Sequence, residues 1–177
     1  GFAAVVMEMV DSIVAGVAFS ANPLNSDRDE MVIDSSYGLG ESVVDGSVTA
    51  DRYVYDKVQS RLVETIVGDK PTEKRLAADG GVVLKAIEDG DGSRRKASSL
   101  NHIQIELLAE KVRAVESAYG MPMDVEWAFA KSGSNNNSSP SLNLKLFLLQ
   151  ARPITTLFTL QKSQCSKIFL FIALDRT

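Results

Sequence analysis

The stretch L146-F-L-L-Q-A-R-P-I-T-T156 opens as an apolar strand and then sets a glutamine and an arginine two residues apart. A second stretch, M121-P-M-D-V-E-W-A-F-A130, sets two carboxylates at the same spacing. Side chains two apart on a strand share a face. In the second stretch Val125, Trp127 and Phe129 therefore face one way, and Asp124, Glu126 and Ala128 the other. In L144-K-L-F-L-L-Q-A-R152, Leu144, Leu146 and Leu148 share a face with Gln150 and Arg152. Paired as a hairpin, the two strands bring Glu126, Gln150 and Arg152 to one end of a sheet. A carboxylate, an amide oxygen and a guanidinium suit a magnesium-bound polyphosphate. Mg²⁺ takes one or two protein oxygens and completes its shell with phosphate and water, and arginine offers fixed donors to phosphate oxygens. A strand end closed by an exposed Glu126–Arg152 ion pair is the alternative that spacing leaves open.

The chain around these strands has 177 residues, 45% hydrophobic and 24% charged, within the range of one globular domain. A net charge of −4 argues against a general nucleic-acid binder, which needs a basic face. No apolar run reaches the length of a membrane span; "IFLFIAL" near the C-terminus is far too short. The start lacks a signal peptide's basic flank and cleavage site. The single cysteine, Cys165, has no partner for an internal disulfide and fits a reducing, cytoplasmic setting.

Ala3 to Val10 and Gly16 to Ser20 are apolar runs that predict paired strands with "DSIVA" between them. Asn22 to Glu30 reads as a loop, and Met31 to Glu41 as a strand running into a glycine turn. "DRYVYDK" and "RLVETIVGD" predict two more strands, whereas Gly81 to Asn101 suggests no firm element. Ile105, Leu108, Val112, Val115 and Tyr119 recur at helical spacing. Ser99 or Asn101 can cap that helix, and Gly120 followed by Pro122 ends it. The turn "YGLGE", Tyr37 to Glu41, is either a plain turn or a phosphate cradle. Glu8, Met9 and Val10 end the first strand candidate, where backbone could meet an adenine edge or simply belong to a core strand. His102, the only histidine, falls in the first helical turn and is expected to face solvent.

Four motifs in order, "VVMEMVDSIVAGVAFSANP", "YGLGESVVDGSV", "YGMPMDVEWA" and "LFLLQARPIT", resemble the ATP-binding domain of the phosphoenolpyruvate synthase and pyruvate phosphate dikinase family. Rifampicin phosphotransferases share that domain. The resemblance covers residues 1–154 and implies an α+β, ATP-grasp-type lobe: a mainly antiparallel sheet with at least one packed amphipathic helix. Residues 155–177 form an unassigned tail. It further implies ATP and Mg²⁺ as cofactors, with Glu126 and Gln150 as metal ligands and Arg152 as a catalytic phosphate contact. Glu8, Met9 and Val10 match the hinge that recognises adenine. Family enzymes split ATP to AMP and phosphate by way of a histidine on a separate swivelling domain. That domain, and an N-terminal lobe whose lysine and arginine grip the phosphates, are the partners expected outside this chain. The chain alone is then expected to bind Mg-ATP weakly and to turn none over. A non-catalytic nucleotide-binding module or an inert fragment is the alternative. Family sequences carry proline at the position of Ala50, and their loop between the two ligand strands is short, so S132-G-S-N-N-N-S-S-P-S141 looks like an insertion.

That stretch is almost free of apolar residues and is expected to be a solvated hairpin loop. Shortening it to a few residues should change the unfolding free energy by only about 0.6 kcal/mol per halving of length. Urea denaturation of the deletion variant checks this; a loss of several kcal/mol would mean that the loop is packed.

Overall fold

A computed structural model describes residues 4–46, 48–87, 94–131 and 144–155. The loop reading for Ser132 to Ser141, the tail and Cys165 therefore lie outside the described residues, apart from Thr155. Strands β1 (Ser12–Phe19), β2 (Glu30–Tyr37), β3 (Asp51–Asp56), β4 (Arg61–Ile66), β7 (Met123–Lys131) and β8 (Leu144–Pro153) form one sheet in the order β4-β3-β2-β1-β7-β8. Every pairing in it is antiparallel. A separate hairpin joins β5 (Thr72–Leu76) to β6 (Val82–Ala86). One short helical turn, α1 (Glu41–Val44), follows the glycine turn, and one long helix, α2 (His102–Tyr119), covers the sheet. This is the α+β lobe, sheet plus packed amphipathic helix, that the motifs imply.

Helix α2 forms for the reasons its sequence carries. Asn101 accepts from the Gln104 amide while the Gln104 side chain returns to the Asn101 amide, a capping box that satisfies two orphan donors. Gly120 ends it in the left-handed region at φ 66°, which costs glycine nothing. Ile105, Leu108, Val112 and Val115 are buried, as their spacing predicts, against the face of the sheet that carries Val125, Trp127 and Phe129. Trp127 and Phe129 meet edge to face at 5.7 Å between ring centres.

The first strand is shifted from its expected place. Residues 4–11 have no regular structure, and β1 starts at Ser12, inside the segment read as a connection. The reason lies in pairing. Ser12–Phe19 has β2 on one side and β7 on the other, whereas nothing among the described residues pairs with Ala4–Val10, whose Val5, Val6, Met7 and Met9 stay exposed. The β5–β6 hairpin is the second departure. Its β6 residues are all exposed, so neither burial nor alternation marks it in the sequence.

Asp51 ties the hairpin's approach and the start of α2 to the sheet. Its Oδ1 accepts from the Gly68 amide at 2.8 Å and from the Lys70 ammonium. Its Oδ2 accepts from the Ser99 amide at 2.7 Å and the Tyr53 hydroxyl at 3.3 Å. Both charged side chains are 0% exposed. Removing one member of such a pair strands the other charge. Lys70→Met is therefore expected to lower the unfolding free energy by about 3–5 kcal/mol, measured by urea denaturation. A loss below about 1 kcal/mol, the range of exposed pairs, would mean that water reaches Asp51.

Candidate nucleotide and metal site

The end of the sheet opposite α2 is set by how β7 pairs. On one side Val17 of β1 lies opposite Glu126, and on the other Gln150 of β8 does. Cross-strand partners share a face. Glu126 and Gln150 are thus direct neighbours on the face away from the core, as are Asp124 and Arg152 one pair further on.

Unbroken alternation does not produce this arrangement. Trp127 pairs with Leu148, and Glu126 with Gln150, so Leu149 is an extra residue in β8: a β-bulge. Up to the bulge Leu144, Leu146 and Leu148 pack on the core; beyond it Ala151 does. The expectation that Gln150 and Arg152 share a face with the three leucines is therefore corrected. Leu149 moves them to the opposite face, the one that Glu126 occupies. A bulge leaves no signature in a run such as "LFLLQ", because leucine serves either face.

The ion pair at this end also differs from the simplest expectation. Arg152 Nε donates to Asp124 Oδ2 at 2.7 Å, and no Glu126–Arg152 bridge forms. Asp124 is 7% exposed, and its Oδ1 is buried with no hydrogen-bond partner among the described residues. The guanidinium stays about half exposed, and the hydrogen bond to Asp124 raises its pKa further. The Glu126 and Gln150 side chains make no hydrogen bond with another described residue. Burial lifts the Glu126 carboxyl above its ordinary range; nearby Arg152 opposes the shift and Asp124 adds to it. Two strands away on the same face Arg52 grips Asp34 through two bonds of 2.7 and 2.8 Å. That carboxylate is already neutralised; Glu126 is not.

A half-buried carboxylate with a raised pKa, paired across the strands with Gln150 and beside an orphaned carboxylate oxygen, fits a hard cation that brings its own remaining ligands. Among the described residues no cluster of three or more His, Cys, Asp or Glu encloses a metal by itself. A set of two or three oxygens suits Mg²⁺ held jointly with phosphate better than a closed protein cage. Asp124 is the member whose part sequence reading left unstated; its spacing from Glu126 was visible, but its hold on Arg152 depends on the pairing.

Glu8 and Met9 are exposed and Val10 half-buried. They line a groove of about 1160 Å³ with Arg75, Leu107, Lys131 and Leu146, which reaches Leu149 but includes neither Glu126, Gln150 nor Arg152. The groove and the carboxylate–amide pair thus lie on either side of the bulge. His102 is exposed as expected, with Nδ1 3.6 Å from Glu106. No helix among the described residues is long and apolar enough to cross a membrane.

Among the described residues the fold is thus an antiparallel sheet backed by α2, with an oxygen-rich end on its open face. Residues 1–169 match the family described as the pyruvate phosphate dikinase AMP/ATP-binding domain, and the chain belongs to that family. It is 38% identical over 165 residues to a probable phosphoenolpyruvate synthase of Methanocaldococcus jannaschii, covering 93% of this chain and 13% of that protein. The prodigiosin synthesizing transferase PigC of Serratia marcescens is 38% identical over 154 residues, 87% of this chain and 16% of that one. An uncharacterized phosphotransferase, YvkC of Bacillus subtilis, is 37% identical over 153 residues, 86% of this chain and 16% of that one. The chain thus spans 13–16% of the length of these three relatives.

The raised Glu126 pKa gives a stability test. The folded state holds this proton more tightly than the unfolded chain does. The group's favourable contribution is therefore complete below the unfolded pKa and is lost as pH rises through the folded one. Glu126→Gln removes that loss. Its melting temperature relative to the parent should rise as pH climbs above the ordinary glutamate pKa of about 4.3, read by thermal denaturation across a pH series. A variant that becomes relatively less stable as pH rises would contradict burial as the dominant cause.

Proposed function

We propose that this chain works as the ATP- and magnesium-binding lobe of a longer dikinase-like phosphotransferase. The observation that carries the reading is the direct opposition of Glu126 and Gln150 on the open face, with no other described partner for either side chain. These two would hold Mg²⁺, which when bound supplies neutralising charge to the polyphosphate. Arg152 has the catalytic part: its guanidinium, oriented by Asp124, offers its remaining donors to phosphate oxygens. Phosphoryl transfer depends on such positioning and charge stabilisation. Backbone groups of Glu8, Met9 and Val10 take the adenine edge. The phosphoryl group passes to a histidine on another domain of the longer protein; His102, beside a carboxylate and on the surface, lacks the anion-stabilising setting that task needs. A probable phosphoenolpyruvate synthase and a prodigiosin synthesizing transferase both carry a similar lobe, which supports placing the choice of acceptor outside it.

Calorimetric titration of the chain with ATP, with and without Mg²⁺, tests the reading. Affinity should tighten with Mg²⁺, and Glu126→Gln or Gln150→Ala should abolish that gain. Arg152→Met should weaken binding about 10- to 100-fold, the range of one charge-assisted hydrogen bond. Equal affinity with and without Mg²⁺ in the parent chain would overturn the metal assignment.

A further inference from the structure

The exit from the adenine-side segment, the glycine turn and the β5–β6 hairpin meet in one knot of hydrogen bonds. The Gly38 amide donates to the Ile13 carbonyl at 2.8 Å, and the Ser12 hydroxyl to the Gly38 carbonyl at 2.9 Å. The Leu39 amide donates to the Lys74 carbonyl at 2.9 Å. Gly38 sits at φ 79°, and a Cβ there would come within 2.2 Å of that same carbonyl oxygen, so only glycine permits the approach. Side chains repeat the connection. Lys74 Nζ bonds Asp45 at 2.9 Å and Glu41 at 3.2 Å, on the helical turn that follows the glycines. Arg75 Nη1 donates to the Ser12 carbonyl at 2.9 Å while its Nη2 is held by Glu73 at 2.9 Å. Glu73 is in turn held by Arg94 Nη2 at 2.8 Å.

Ser12 is the first residue of β1, two beyond Val10, and its own amide donates to the Val10 carbonyl at 2.9 Å. The two peptides that flank the Ser12 Cα therefore set the direction in which Glu8, Met9 and Val10 leave the sheet. Arg75 is the charged group that holds the Ser12–Ile13 peptide by its carbonyl, directly after the one that bonds Val10, and it lines the same groove as those three residues. A guanidinium serves here because its fork binds a carbonyl and a carboxylate at once. Nothing in the magnesium and phosphate end of the site uses it.

We propose that Arg75 is a positioning residue for the adenine end of the site, acting through the Ser12 carbonyl, and that the β5–β6 hairpin exists to carry it. This rests on the reading of Glu8, Met9 and Val10 as adenine-contacting backbone.

The test uses the 177-residue chain, Arg75→Met and Arg75→Lys, with hydrogen exchange of individual amides and titration by AMP and by inorganic tripolyphosphate. In Arg75→Met the Ser12 and Gly38 amides should exchange about tenfold faster, and AMP should bind about tenfold more weakly, because binding must then order a segment that the guanidinium no longer holds. Tripolyphosphate binding and exchange within α2 should not change. Arg75→Lys, which keeps a charged donor, should recover most of the AMP affinity. Unchanged exchange at Ser12 and Gly38, or equal loss of AMP and tripolyphosphate binding, overturns the proposal. If the parent chain takes up no AMP, the adenine reading of Glu8–Val10 is what fails, and the exchange rates still decide whether Arg75 holds the peptide. Should Arg75→Met fail to fold, Glu73→Gln loosens the same guanidinium, and faster exchange at the same two amides is again expected.

Discussion

Burial of Val125, Trp127 and Phe129 beneath α2 is the constraint on which the site depends. A strand has a side-chain period of two, so once these three are committed to the core, Asp124 and Glu126 must face the other way. Slipping β7 by one residue would put two carboxylates under the helix and a tryptophan in water. The cost of burying unpaired carboxylates makes that register inaccessible. The chemistry on the open face is thus held in place by the packing on the closed one. The bulge at Leu149 lets β8 obey the same constraint with a different sequence rhythm, keeping three leucines and Ala151 inward while turning Gln150 and Arg152 outward.

The second fixed point is electrostatic. Asp51 and Lys70 are both sealed from solvent, and the carboxylate gathers donors from Gly68, Ser99 and Tyr53. A buried ion pair is seldom the most stable filling for a core, but it is directional. Here it specifies where the chain enters the hairpin and where it enters α2, two segments with little apolar surface to locate them. The Ser35–Ser99 hydroxyl contact at 2.6 Å and the Tyr37 hydroxyl donating to Ala97 at 3.3 Å extend the same network. In this lobe apolar burial places the sheet and the helix, and polar contacts place the connections between them.

The site is built from groups in unlike states. Arg152 is engaged by Asp124, Arg52 by Asp34, and Glu126 by neither. A carboxylate lifted by burial and lacking a hydrogen bond is costly in the folded chain, and such groups concentrate where a ligand completes them. Glu126 combines that cost with an amide side chain, Gln150, as its cross-strand neighbour. This is why the pair, rather than the better-satisfied charges around it, carries the functional reading.

Much of this was legible in the residues themselves. The helix from His102 to Tyr119, its cap and its glycine stop are local properties, set by spacing and by hydrogen bonds within four residues. The strands β2, β3, β4 and β7 follow from β-branched and aromatic runs between turns and β8 from an apolar run, and the carboxylates of β7 sort to one face by period alone. Four ordered motifs identified the family. What the tertiary structure alone decided is everything that depends on a partner distant in the chain. Pairing on both sides moved the first strand to Ser12 and left Ala4–Val10 outside it; an unpaired residue in β8 turned Gln150 and Arg152 toward Glu126; and Arg152 chose Asp124. The sequence carries the donors and acceptors, but which of them meet is decided by long-range registry, because a bulge or a buried ion pair is a relation between segments rather than a property of either.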